Sequence, residues 1–105
     1  MSGDRRTVRT TQQFFEDLDH QLPPQRGPHG EPSAHDFQVY ELLRVVEQFA
    51  TKFDTMAELI PGRPEYRSLI TSGLLVPRFV VTGQLAPDGA VELIRVRLDL
   101  DAGWD

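Results

Sequence analysis

Four arginines in the second half of the chain, Arg67, Arg78, Arg95 and Arg97, are the residues whose type best suits recognition chemistry. A guanidinium presents a planar fork of donors that can grip a carboxylate or a phosphate through two hydrogen bonds. Arg95 and Arg97 are two apart, so a regular strand puts them on one face. If Arg67 and Arg78 join them from neighbouring strands, that face could hold an anion. The alternative is a solvated outer face whose arginines pair across strands with Glu92 or Asp99, the commoner meaning of such charge patterns. Other chemistry is poorly provided for. Ser33, Ser68 and Ser72 have no nucleophile-elbow context, and Gly27-x-x-Gly30 precedes no phosphate-loop lysine. His20, His29 and His35 have no metal-ligand spacing, and cysteine is absent, so neither a metal site nor a cofactor is expected. Asp99, Asp101 and Asp105 lack the glycine and closing glutamate of a calcium loop. Trp104, the sole tryptophan, either packs back on the core or docks into a partner.

The elements that must position these residues are readable from periodicity and punctuation. Thr7–Thr11 is β-branched and predicts a short edge strand. A helix follows, with Phe14, Phe15, Leu18 and Leu22 in one apolar stripe; Thr10 with Gln13 forms its capping box, Thr11 being the competing N-cap. Pro23-Pro24 ends it, and residues 23–32 are a proline- and glycine-rich loop between two helices. Ser33 and Asp36 open the second helix, along which Val39, Leu42, Val46, Phe49, Phe53, Met56 and Ile60 recur in alternating steps of three and four. Pro61-Gly62 would stop it, with a break near Thr51–Asp54 as the other possibility, because an unbroken run would be long for this domain. The apolar surplus of that stripe suggests a homodimer or a partner helix. Strands are predicted over residues 66–71, 75–83 and 91–100, with Pro77 at an edge or a bulge. Ala86-Pro87-Asp88-Gly89 supplies type I turn chemistry between the last two. In the last strand Ile94, Val96, Leu98 and Leu100 are expected on one face. The class that follows is α+β in two layers: a short N-terminal strand and two helices packed on a C-terminal antiparallel three-stranded meander.

Composition bounds the function classes. At 105 residues with 39% hydrophobic and 26% charged side chains, one globular domain over 1–105 is expected, with residues 1–6 frayed. No apolar run approaches the roughly 20 residues of a membrane span. The arginines near the start precede no apolar core, so no secretory signal is read and a cytoplasmic protein is the default. Net charge is −5, unevenly distributed: residues 31–60 carry two basic and six acidic groups, residues 61–98 five basic and three acidic. An acidic chain repels phosphate at long range, which argues against generic nucleic-acid binding. Ten of the eleven basic residues are arginine, suited to short-range, directional contacts.

With these elements in order, the sequence resembles the RelE/ParE superfamily of small bacterial toxins. The resemblance lies in Thr7-Val8-Arg9 leading into a helix that closes at Leu22-Pro23. It continues in Tyr66-Arg67-Ser68-Leu69-Ile70 after the second helix. It ends in Arg78-Phe79-Val80-Val81, a turn at Asp88-Gly89, and Val91-Glu92-Leu93-Ile94-Arg95-Val96. It implies a toxin of a toxin–antitoxin system, controlled by a cognate antitoxin. In the RNA-cleaving branch it implies Arg67 and Arg78 as the phosphate-neutralising residues, with Arg95 or Arg97 binding transition-state charge. Tyr66 is then the nearest proton-handling group. The chain departs from that branch at its end, where three aspartates stand in place of a basic, histidine or tyrosine group. Two readings therefore stand side by side: a toxin acting on a protein target or on RNA presented by a shaped target such as the ribosome, and a non-enzymatic interaction module with the same fold.

Overall fold

The computed structural model describes residues 5–100. The chain opens with β1 (Val8–Thr10), and Thr11 rather than Thr10 caps the first helix, α1 (Gln12–Gln21). Thr11 is chosen because its hydroxyl serves twice: it accepts from the Phe14 N–H at 3.2 Å and donates to the Leu93 carbonyl at 2.9 Å, tying the helix start to the sheet. Residues 5 and 6, expected to fray, are held instead. The Arg6 N–H donates to the Ala50 carbonyl, and Arg5 and Arg6 pair with Glu47 and Asp54. Residues 1–4, the rest of that expectation, lie outside the described residues.

The second helical segment begins at α2 (Ala34–Asp36) with the expected capping box: Ser33 Oγ accepts from the Asp36 N–H, and Asp36 accepts from the Ser33 N–H. One π-helical turn (Phe37–Glu41) follows, then α3 (Leu42–Lys52) and a 3₁₀ turn (Phe53–Thr55). The π turn rotates the buried stripe. Phe37, Glu41, Val45 and Phe49 face the core, whereas Val39 is exposed. In an α-helix four-residue steps drift about 40° each, and the wider turn absorbs part of that drift.

The helix stops at Lys52, so residues 57–60 are not its last turn. They form β2 (Ala57–Ile60), which pairs antiparallel with β3 (Arg63–Thr71) through Pro61-Gly62. Gly62 has φ +86°, the left-handed position of a type II hairpin turn, for which Pro-Gly is as apt as for ending a helix. β4 (Arg78–Leu85) and β5 (Val91–Asp99) complete an antiparallel meander of four strands, one more than the sequence suggested. β1 adds to it parallel to β5, giving the order β1-β5-β4-β3-β2. β4 starts at Arg78, not at 75, because it is a central strand and the missing donor of Pro77 would break its ladder. The Pro-Asp-Gly turn is as expected, with the Gly89 N–H on the Ala86 carbonyl at 2.9 Å and Gly89 at φ +90°.

The helices cover one face of this sheet. Phe14, Leu18, Phe37, Phe49 and Phe53 pack on Phe79, Val81, Val91, Leu93 and Val96 in one core. Phe14, Phe37 and Phe79 stack in series, with centroids 6.4 and 5.1 Å apart. The architecture is therefore α+β. Among the described residues no helix is long and apolar enough to cross a membrane.

Candidate functional site

Strand pairing assigns each candidate residue to a face. Ser68, Thr82 and Arg95 lie in one cross-strand row, Ile70, Val80 and Arg97 in the next, and Arg78 with Asp99 beyond them. These rows point away from the helices; Ile70 is 66% exposed, whereas Thr82 is buried. One residue of β5 is extra. The pairing passes from Thr82–Arg95 to Gly83–Leu93, so Ile94 is a bulge. The expected single face of Ile94, Val96, Leu98 and Leu100 is thereby broken: Leu93, Val96 and Leu98 turn toward the core, and Leu100 follows the strand. The bulge aims Arg95 and Arg97 outward on the rows they occupy.

Arg67 does not share that face. Its partner is Gly83, on the helix side, and its guanidinium is spent on the backbone: Nε donates to the Pro64 carbonyl and Nη1 to the Met56 carbonyl, both at 2.7 Å, while the group stacks over Phe53 at 5.7 Å. It fastens the 3₁₀ turn to the β2–β3 hairpin. The four arginines thus divide three to one, because adjacent positions on a strand face opposite ways.

Of the three outward arginines, two are engaged. Arg78 pairs with Asp99 across the strands at 3.1 Å, the arrangement anticipated for a solvated face. Arg95 donates through Nε to Asp17 on α1 at 2.7 Å. Asp17 is largely buried, which raises its pKa, but hydrogen bonds from Arg95, the Val96 N–H and Gln13 prevail and hold it below the ordinary aspartate value. Arg97 forms no ion pair with any described residue. Tyr66 lies outward too, in the row of Gln84 and Glu92, beneath the Arg63 guanidinium at 5.5 Å. From Arg97 it is two strands across and four residues along, roughly 16 Å by strand spacing. The structure does not bring the two together. Trp104 lies outside the described residues.

Arg97 and Val80 form the ridge between two open depressions. One, of about 420 Å³, reaches from Asp17 and Gln21 to Leu59 of β2; the other, of about 560 Å³, is bounded by Ile70, Arg78 and Asp99. Leu59 is three strands from Arg97 in the sheet order, about 14 Å if the sheet were flat. Its place in the same depression means that the sheet curls toward this side, aided by irregular pairing in β2 and β5. Thr82 lines the first depression, and Ser68, its register neighbour on β3, carries the one buried side-chain polar atom without a partner among the described residues, Oγ. The sequence weighs Ser68 only as a nucleophile and does not single out Thr82, Leu59 or Asp17; the outward parity of β3 and β4 is the signal that joins Ser68 to Thr82.

A wider depression, about 620 Å³, is lined by Arg5, Arg6 and Arg9. Each of these is matched by a carboxylate, with Glu47, Asp54 and Asp88 as partners, so the cluster offers an anion little free charge. No group of three histidine or acidic side chains is placed to hold a metal ion among the described residues. What the curled face can do is bind: one guanidinium without an ion pair among the described residues, flanked by aliphatic side chains beside Thr82, suits a carboxylate or phosphate carried on a partly apolar surface. No protein-family model matches the chain, and neither a curated protein nor a solved structure is significantly similar to it.

Proposed function

We propose that the chain is a RelE/ParE-like toxin-fold protein that engages its target through the curled outer face of the sheet. The observation that carries this reading is Arg97, without an ion pair among the described residues and set between Leu59, Val80 and Ile70 on that face. The elements behind the resemblance support it: a short strand feeds the first helix, Tyr66–Ile70 lies in the strand pair after the second, and Arg78 and Arg95 belong to the closing hairpin. The target is a protein, or RNA held in a shaped setting such as the ribosome, and a cognate antitoxin or a second copy of the chain is the natural regulator.

The second reading, binding without chemistry, is favoured by the state of the other residues. Arg67 serves the backbone, Arg78 and Arg95 are paired, and Tyr66 is far from Arg97. Induced expression in a bacterial host separates the two. As a toxin, the wild type arrests growth and Arg97→Ala relieves the arrest while its melting curve is unchanged; Tyr66→Phe relieves it only if the tyrosine moves a proton. An interaction module gives no arrest in any variant. Generic RNA oligomers are expected not to bind at physiological ionic strength, because one free arginine acts only at short range against a net charge of −5. Salt-resistant binding to such an oligomer would move RNA cleavage to the front.

A further inference from the structure

Glu41 is fully buried, yet it belongs to neither the aromatic core nor the outer face. Its carboxylate lies against the loop between β3 and β4. Oε1 accepts from the Leu74 N–H at 2.9 Å, and Oε2 from the Leu75 and Val76 N–H groups at 2.7 and 3.0 Å. Three consecutive backbone donors converging on one anion form a concave amide cradle of the kind that binds phosphate or carboxylate. Among the described residues its one ion-pair partner is Arg44, with Nη1 at 3.7 Å from Oε1. Burying a carboxylate is unfavourable unless its oxygens are fully bonded, so the cradle must supply most of what water would.

Two further features are built around this contact. The π-helical turn ends on Glu41 and aligns it with Phe37 and Val45, so the helix is widened where the carboxylate must reach inward. Gly73 faces the carboxylate with no room to spare. A Cβ there would collide with Glu41 Oε2 and come within 2.7 Å of the Val76 carbonyl. Gly73 has no left-handed φ, so close approach, not backbone freedom, calls for glycine.

We infer that the turn at residues 73–76 is a carboxylate-binding site which the folded chain fills with its own Glu41, latching the β3–β4 loop to the second helix. The loop carries Leu74 and Leu75, both solvent-exposed, and leads directly into Arg78. Its conformation is set by an internal ligand. The site therefore accepts a small external carboxylate of the same chemistry once the glutamate side chain is removed.

Amide exchange on the wild-type protein tests the latch. The Leu74, Leu75 and Val76 amides should exchange on the order of 100-fold more slowly than in an unstructured chain. Exchange at the unprotected rate at all three would overturn the assignment. Ligand replacement tests the site. Thermal melts of Glu41→Ala are compared in sodium acetate and sodium chloride at equal ionic strength, with Val45→Ala as a cavity variant that keeps the cradle filled. Acetate should raise the midpoint of Glu41→Ala and leave Val45→Ala unmoved. If Glu41→Ala is unfolded in chloride, recovery of native signal in acetate is the readout. An equal acetate effect on both variants, or none on Glu41→Ala, refutes a carboxylate site.

Discussion

At Phe49 a ring of the second helix lies directly on the sheet backbone. The side chain is fully buried and lies against Gly83, where a Cβ would stand 2.5 Å from its Cε1. Two substitutions probe this contact from opposite sides. Phe49→Ala should destabilise by about 3–5 kcal/mol in urea or guanidinium melts, the range for an aromatic truncated in a core. Gly83→Ala should destabilise by about 1–3 kcal/mol through overpacking, because the ring has no space to retreat. Combining it with Phe49→Leu should recover part of that loss, since the two act on one contact. The central position of Phe49 was legible in the sequence, because it stays on the buried face whichever way the helix is phased. The role of Arg67 was not. Its type suggested anion binding, but the row it occupies depends on the register of β3 against β4, which no local pattern specifies.

Among the elements, the ends of the second helix show what sequence periodicity can and cannot convey. Ser33 and Asp36 announced its start through hydrogen-bonding chemistry that works locally. Met56 and Ile60 continued the helical spacing, yet they follow the helix; four residues, Ala57–Ile60, are too few for periodicity to tell a strand from a last turn. The π turn was invisible because a polar residue, Glu41, occupies the buried stripe. The first helix shows a different device. Beyond the three residues of β1, the edge of β5 is closed by side chains of α1. Gln21 donates to the Val96 carbonyl at 2.8 Å and accepts from the Leu98 N–H at 2.7 Å, and Asp17 accepts from the Val96 N–H at 3.1 Å. Gln21→Ala should lower stability by about 1–3 kcal/mol, as expected when half-buried backbone groups lose their partners. Faster exchange of the Leu98 amide, with the Leu69 amide unchanged, would locate the loss.

For the molecule as a whole, ion pairing makes stability acid-sensitive. Asp36 is held well below the ordinary aspartate range, first by its hydrogen bond from Arg26 and then by the Ser33 N–H. Glu47 and Asp88 are likewise lowered, each chiefly by its arginine partner, though both are exposed and contribute little. A depressed carboxylate stabilises the fold above its unfolded pKa, 3.8 for Asp36, and the contribution is lost as pH falls toward the folded value. Urea midpoints should therefore be flat near neutrality and decline below about pH 4. The gap between wild type and Asp36→Asn should narrow over the same acid range, and a gap independent of pH would mean that the aspartate acts by shape rather than charge.

The closure of β5 by α1 also limits how copies of this chain can join. A sheet bare at both edges is a monomer for polymerisation, since each addition exposes another template. Here one side ends in a three-residue strand and a helix whose side chains already occupy the ladder, leaving β2 as the accessible margin. Two molecules meeting margin to margin would use up the longer open edge that each possesses among the described residues. Strand addition through β2 therefore terminates at a pair.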